Sequence, residues 1–219
     1  MARARDFTID LHVHSVFSGE SLAEPKDIIE AALQKGLDAI CITEHDSLSV
    51  SLPFDEISKR YPLKVFRGVE ISTDAGHMLV YGVTDADWND WGKSGSVHAQ
   101  ELISKVRSLG GVVVPAHPYV MESCGLCDAN PRVHVDERIR GLSGLKALEI
   151  CNGKTAKYPL VCGVLSQYAR SLGLAGTGGS DAHIPENVGS SYTVFKTPIH
   201  TVQALAAAIQ SGHFYPRVS

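Results

Sequence analysis

Apolar residues fall along this chain in short β-rich runs, separated by stretches of helical spacing or by turn formers. The runs FTIDLHVH, DAICIT, KVFRGVEI, GVVVPAH, LKALEIC, LAGTGGS and SYTVF read as strands, and their alternation with helical stretches predicts an α/β domain with a mainly parallel sheet under covering helices. Between the first two, EPKDIIEAALQKGL sets Ile28, Ile29, Ala32 and Leu33 on one helical face, with Pro25 near its start and Gly36 at its stop. Further helices are predicted over SVHAQELISKVRSLG, YPLVCGVLSQYARSLG and HTVQALAAAIQSG. KVFRGVEIS and GHMLVYGV stand only Thr73-Asp74-Ala75 apart, too close for a helical crossover, and predict an antiparallel hairpin. Met121 to Gly144 is the most loop-like stretch and reads as a lid or rim.

The predicted strand ends are where chemistry collects. His12 and His14 are two apart on a strand, so they share a face, and Asp10 has the same parity. An HxH pair alone is a weak signal, since two polar residues on a solvent face look the same. Yet His45 follows DAICIT, Glu70 lies near the end of KVFRGVEI, His117 closes GVVVPAH, and Asp181 and His183 follow LAGTGG. Catalytic groups of βα-barrels gather at the C-terminal ends of successive strands. His77 opens the return arm of the hairpin and falls beside Glu70, so six of the ten histidines and two carboxylates are expected at one rim. Imidazole and carboxylate together suit Zn²⁺, Mn²⁺ or Fe²⁺, and eight ligands exceed what one such ion accepts. A cofactor of two to three divalent ions is therefore expected, with Glu70 as the bridging carboxylate.

Bulk properties change this picture little. At 219 residues the chain fits one domain, expected to run over 1–219, and its net charge of -4 exerts no general pull on nucleic acid or an anionic membrane. No apolar run is long enough for a membrane span or a secretory signal, which predicts a cytoplasmic protein without a membrane partner. The five cysteines, Cys41, Cys124, Cys127, Cys151 and Cys162, are read as thiols, because Cys124-x-x-Cys127 has no matching second pair. GTGGSDAH is followed by no GKS or GKT and is not a P-loop. Arg67, Arg132 and Arg138 could clamp a phosphate, although solvation is the simpler reading of each. His98, His134, His200 and His213 lie away from strand ends and suit solvated or capping roles. Oligomeric state is left open.

The ordered motifs DLHVHS, ITEHD, GVEI, AHP and GSDAH, spanning positions 10 to 183, resemble those of the PHP (polymerase and histidinol phosphatase) superfamily. The resemblance implies a distorted seven-stranded βα-barrel, TIM-like in plan, with a trinuclear metal centre that hydrolyses phosphate esters. It implies one ion on His12, His14, Glu70 and Asp181, a second on Glu70, His77 and His117, and a third on His45 and His183. Where related sequences carry SDG, this chain has Ser18-Gly19-Glu20, which makes Glu20 the candidate third-ion ligand. Glu44 stands where Asp is commoner and reads as a supporting or neutral residue. Asp181, His183 and Glu70 are the residues expected to carry catalysis. Asp46, Glu149 and His183 are the candidate acids for the leaving group, and Asn152 and Lys154, with Glu149, are placed to support the ligands or meet a substrate phosphate.

The favoured substrate is a small phosphorylated metabolite, such as a nucleotide or histidinol phosphate. A nucleic acid end, cut by a 5′-3′ exonuclease or oligonucleotide phosphodiesterase, is the nearest rival. An amidohydrolase would leave Glu70, His45 and His183 without roles. A non-catalytic metal-binding module is the alternative outside enzymes.

Overall fold

The computed structural model describes residues 5–87, 97–122, 132–153 and 159–219. Its largest sheet has the order β12-β11-β1-β2-β3, formed by β1 (Phe7–Val13), β2 (Ala39–Ile42), β3 (Lys64–Arg67), β11 (Ser191–Phe195) and β12 (Phe214–Val218). A second sheet joins β4 (Val69–Thr73), β5 (Gly76–Tyr81) and β6 (Val112–Pro115). Two-stranded sheets are made by β9 (Ala147–Cys151) with β10 (Ala175–Gly178), and by β7 (Tyr119–Glu122) with β8 (Arg132–Val135). The helices are α1 (Pro25–Gln34), the single turn α2 (Phe54–Ile57), α3 (Ala99–Ser108), α4 (Pro159–Ser171) and α5 (Val202–Ser211). Four of them coincide with the helical stretches expected from the sequence. Among the described residues no helix is long and apolar enough to cross a membrane.

Each helix is held by its apolar stripe more than by its caps. Ile28, Ile29 and Ala32 of α1 are fully buried against Ile40 and Ile42 of β2 and against Phe54. Leu102, Ile103 and Val106 of α3 pack with Val69, Met78, Val80 and Val113, in a cluster that also takes Val161 and Leu165 of α4. α5 joins a third cluster with Ile9, Leu11, Cys41, Tyr81 and Val114. Its first turn is capped by Thr201, whose Oγ1 accepts from the Ala204 amide at 3.1 Å, and Gly212 closes it in the left-handed region (φ 72°).

The expectation of a mainly parallel sheet is overturned. β1–β2, β2–β3 and β9–β10 are parallel, whereas β1–β11, β11–β12, β4–β5, β5–β6 and β7–β8 are antiparallel. Parallel neighbours need a crossover of a dozen or more residues, usually helical. Between β4 and β5 there is only the turn at Asp74 and Ala75, the hairpin expected from the sequence, whereas β5 and β6 are antiparallel although α3 lies between them. β7 runs into the stretch read as a loop, β8 lies within it, and β12 lies near residue 219; none of the three was expected from the sequence. The sheets are small and none closes on itself among the described residues, so the architecture is a mixed α/β fold.

Backbone bonds outside the ladders stitch the sheets together at one end. The Gly68 and Glu70 amides donate to the Ile42 and Glu44 carbonyls (2.8 and 3.0 Å), carrying the start of β4 alongside the end of β2. The Asp181 amide donates to the His12 carbonyl (2.7 Å) and the His14 amide to the Ala182 carbonyl (3.0 Å), fixing the segment after β10 against the end of β1. These links bring residues distant in sequence to a common mouth.

Candidate metal centre

Glu70 lies at the middle of that mouth, 1% exposed, and its two oxygens face different histidines. Oε2 is 3.2 Å from His12 Nε2, 3.1 Å from His14 Nε2 and 3.4 Å from His45 Nδ1. Oε1 is 3.0 Å from His77 Nδ1 and 3.2 Å from His117 Nε2. Asp181 Oδ1 stands 3.5 Å from the Nε2 atoms of both His12 and His14, which are themselves 3.0 Å apart. His183 turns its ring to within 4.6 Å of that of His14 and donates from Nδ1 to the Asp181 carbonyl (3.0 Å), which leaves Nε2 as its ligand atom. Glu20 reaches in from the rim, with Oε1 3.0 Å from His45 Nε2. The structure therefore brings all eight expected ligands together, and Glu20 with them.

This donor set fits divalent cations. Two imidazole nitrogens 3.0 Å apart that both face carboxylate oxygens make a nest of lone pairs, which only a proton or a metal ion can fill. The buried His14 Nδ1 has no hydrogen-bond partner of its own. Three triplets, His12/His14/Glu70, His14/His45/His183 and His45/Glu70/His77, each hold ligand atoms within 4.8 Å of one another. The last adds His45 beside the Glu70–His77 pair, where His117 Nε2 also stands 3.2 Å from Glu70 Oε1.

Comparison with known proteins agrees with this geometry. The PHP domain model matches residues 10–186, and a PHP-associated model matches 166–214. The chain belongs to the PHP family. It is a hydrolase. A probable phosphatase of Photobacterium profundum is 25% identical to this PHP chain over 215 residues, covering 86% of the chain and 83% of the relative. PsfC of Pseudomonas syringae shares the fold at a TM-score of 0.70 and 20% identity, over 98% of this chain and 92% of that one. A two-domain protein of Bacteroides vulgatus containing a PHP-like metal-dependent phosphoesterase superposes at a TM-score of 0.67 and 19% identity, over 98% of this chain and 65% of that one.

Around the PHP centre, buried carboxylates aim the ligands. His12 donates from Nδ1 to Glu149 Oε1 (3.0 Å), and Glu149 Oε2 accepts from the His117 amide (2.7 Å) and Asn152 Nδ2 (3.2 Å). A carboxylate behind a ligating imidazole fixes its tautomer and raises its basicity. Glu149 and Asn152, both 1% exposed, thus stand behind the candidate ligands, the supporting place among those expected of them. Asp10 is a staple for the backbone, accepting from the amides of Ser180 (2.8 Å), Gly189 (2.8 Å) and His12 (3.3 Å). Complete burial pushes its pKa up to about 6 against those bonds. Glu44 accepts from the amide and hydroxyl of Ser15, 4.0 Å from His14 Nδ1. Asp46 lines the mouth with Oδ1 held by the Ser72 amide (2.9 Å).

Charges inside the cluster answer one another. Burial pushes the Glu70 carboxyl up, and the His12 ring with hydrogen bonds from His117, His12 and His14 reverses this, holding it well below the usual range. Asp181 is likewise held low against its burial, first by the charge of His12 and then by a hydrogen bond from His14. Burial lowers the His45 pKa, while the hydrogen bond to Glu70 raises that of His77.

Two features of the site have no sequence motif. Among the described residues the non-glycine positions with positive φ are Asp46 (54°), His117 (29°) and Asp181 (54°), all at this mouth. Such backbone costs about 1–3 kcal/mol per residue and persists where surrounding structure enforces it. Gly179 is required for another reason: a Cβ there would lie 2.4 Å from His12 Cβ and 2.9 Å from Glu149 Oε1. Lys154, Cys124, Cys127 and the side chain of Arg132 lie outside the described residues. Arg67 is no clamp at this mouth, since it pairs with Asp55 and Asp85 in a separate cavity.

Proposed function

We propose that this PHP domain is a metal-dependent phosphomonoesterase acting on a small phosphorylated metabolite or nucleotide. The observation that carries the reading is the division of Glu70, one oxygen toward His12, His14 and His45 and the other toward His77 and His117. That division suits a carboxylate bridging neighbouring ions. Two to three divalent ions, Zn, Mn or Fe, would be held by His12, His14, Glu70 and Asp181, by Glu70, His77 and His117, and by His45 and His183 with Glu20 completing the third set. Bound there, such ions lower the pKa of water toward about 7 and offset the charge of phosphoryl oxygens.

The chain's own residues supply the rest. Glu149 holds His12 in one tautomer and His117 in place, so the ligands are set before substrate arrives. Of the three candidate acids Glu149 is engaged by three donors and His183 is needed as a ligand, which leaves Asp46 to pass a proton to the leaving oxygen. Asp46→Asn should then slow esters of alkyl alcohols while sparing p-nitrophenyl phosphate, whose leaving group departs without a proton. We take the seven-stranded barrel plan as a way of joining the sheets that the bonds of β4 along β2 and of residues 181–182 along β1 bring together, with one domain over 1–219 and a cytoplasmic location as further parts of the proposal.

The test is phosphate release from a panel of monoesters and nucleotides, and nucleotide release from a short oligonucleotide, with and without Mn²⁺ or Zn²⁺. Metal-dependent release from small monoesters is expected. Release from the oligonucleotide alone would shift the reading to a nuclease, and a metal-loaded protein inert on the whole panel would end it.

A further inference from the structure

A second cavity, about 230 Å³, opens beside the mouth of about 290 Å³ and shares two walls with it, His77 and His117. Neither space alone reaches the roughly 300–1,000 Å³ of ordinary small-molecule sites; as one bipartite cleft they do. We propose that this side cavity is the subsite for the leaving group, and that the group it takes is a polyhydroxylated ring, a sugar or the sugar of a nucleoside. The inference rests on the phosphomonoesterase reading and adds the chemistry of the ester's alcohol half.

The walls divide by chemistry. Pro118 and Tyr119 present an apolar flank, suited to the C–H face of a ring. Asp136 and Arg138 line the same cavity as an ion pair in which both Asp136 oxygens accept from Arg138, leaving the guanidinium as the donor that hydroxyl groups can meet. Arg138 is not loose: Nε donates to both Asp136 oxygens (2.9 and 3.1 Å), Nη2 donates to Asp136 Oδ2 (2.5 Å), and Nη1 approaches the Asp74 carbonyl (3.5 Å). A guanidinium has five N–H donors, so some remain to spare on a side chain that is 58% exposed. The pair is fastened beside Pro118 by the Asp136 amide, which donates to the Pro118 carbonyl (3.0 Å). Gly76, next to His77, lies against the pair: its backbone at φ 92° favours glycine, and a Cβ there would touch Arg138 Nη2 at 3.4 Å. A positioned guanidinium thus stands against Gly76, the neighbour of the proposed ligand His77, where the alcohol half of an ester bound at the mouth would lie.

The test compares substrates within each protein, so that any unfolded fraction cancels. For Mn²⁺-loaded wild type, Arg138→Ala and Asp136→Asn, kcat/KM is measured for ribose 5-phosphate, a hexose 6-phosphate, a nucleoside 5′-monophosphate and p-nitrophenyl phosphate, whose leaving group has no sugar hydroxyls. The ratio of each hydroxylated ester to p-nitrophenyl phosphate should fall about tenfold in Arg138→Ala, mainly through KM, and should also fall in Asp136→Asn. Whether free sugar phosphates or the nucleotide show the larger fall tells which source the ring comes from. An unchanged ratio in both variants overturns the subsite and leaves the phosphomonoesterase reading standing. A wild type that cleaves none of the four overturns both.

Discussion

The mouth around Glu70 and the cavity around Arg67 are both lined with charge, and the latter is somewhat larger at about 330 Å³. Their side chains nevertheless do opposite things. In the Arg67 cavity each charge meets its partner: the guanidinium donates to the Leu48 carbonyl and pairs with Asp55 and Asp85, while Lys64 reaches the His200 carbonyl. In the Glu70 mouth, lone pairs meet lone pairs, His12 Nε2 facing His14 Nε2, and the backbone is bent into positive φ to hold them there. Space and charge alone do not mark a site. Donors converging on one point with nothing to bind but a cation do.

The largest expected effect sharpens that contrast. Asp181→Ala removes the oxygen that faces both His12 and His14 without touching an apolar cluster, so hydrolysis should fall by about a thousandfold or more, some 4 kcal/mol of barrier, while the circular dichroism spectrum holds. Full activity in this variant would mean that the centre is misassigned. Glu149→Gln comes next. It keeps the shape behind His12 and His117 but loses the charge, which should weaken metal binding about 10–100-fold, read as metal content after dialysis. Equal metal retention would reduce Glu149 to packing.

The convergence of the eight candidates was legible in the sequence because all but His77 end or follow a strand-like run, and strand ends share a rim in any βα arrangement. His77, inferred only from its nearness to Glu70 across a turn, sits 3.0 Å from that carboxylate because the β4–β5 register places it there. What stayed hidden is what depends on three-dimensional neighbours. Nothing local shows that Glu149 will lie behind His12, 137 residues away, or that Asp10 will face the backbone of Ser180 and Gly189 instead of the mouth. Gly179 could have been suspected from the run of glycines in GTGGSDAH, yet its reason, the approach of His12, is a property of the packed strands. Strand direction was read correctly at the short β4–β5 link and misjudged across α3 between β5 and β6, since alternation of apolar runs does not distinguish a crossover from a return.

A change of pH separates the two forms of the mouth. Burial opposes a charged His12, but Glu70, Glu149 and Asp181 outweigh it and hold its pKa well above the usual value in the metal-free protein. Stability from that proton is fully present below the unfolded value of about 6.5 and is lost as pH rises through the folded one. The metal competes for the same ring, so loading should release protons and tighten as pH rises from about 6 to about 8. Thermal melts with and without Mn²⁺ should therefore diverge with rising pH, and a constant gap would show that no proton is displaced.

The smallest effect comes from the other cavity. Arg67→Ala leaves Asp55 and Asp85 facing water, their side chains 56% and 38% exposed, so they can rehydrate without being stranded. The cost should be about 1 kcal/mol in urea unfolding, the scale of a partly exposed ion pair. Because Arg67 touches none of the converging ligands, kcat/KM on any cleaved ester should stay at the wild-type value. A tenfold loss of activity at this small cost in stability would make the Arg67 cavity part of the working site and erase the distinction between the two regions.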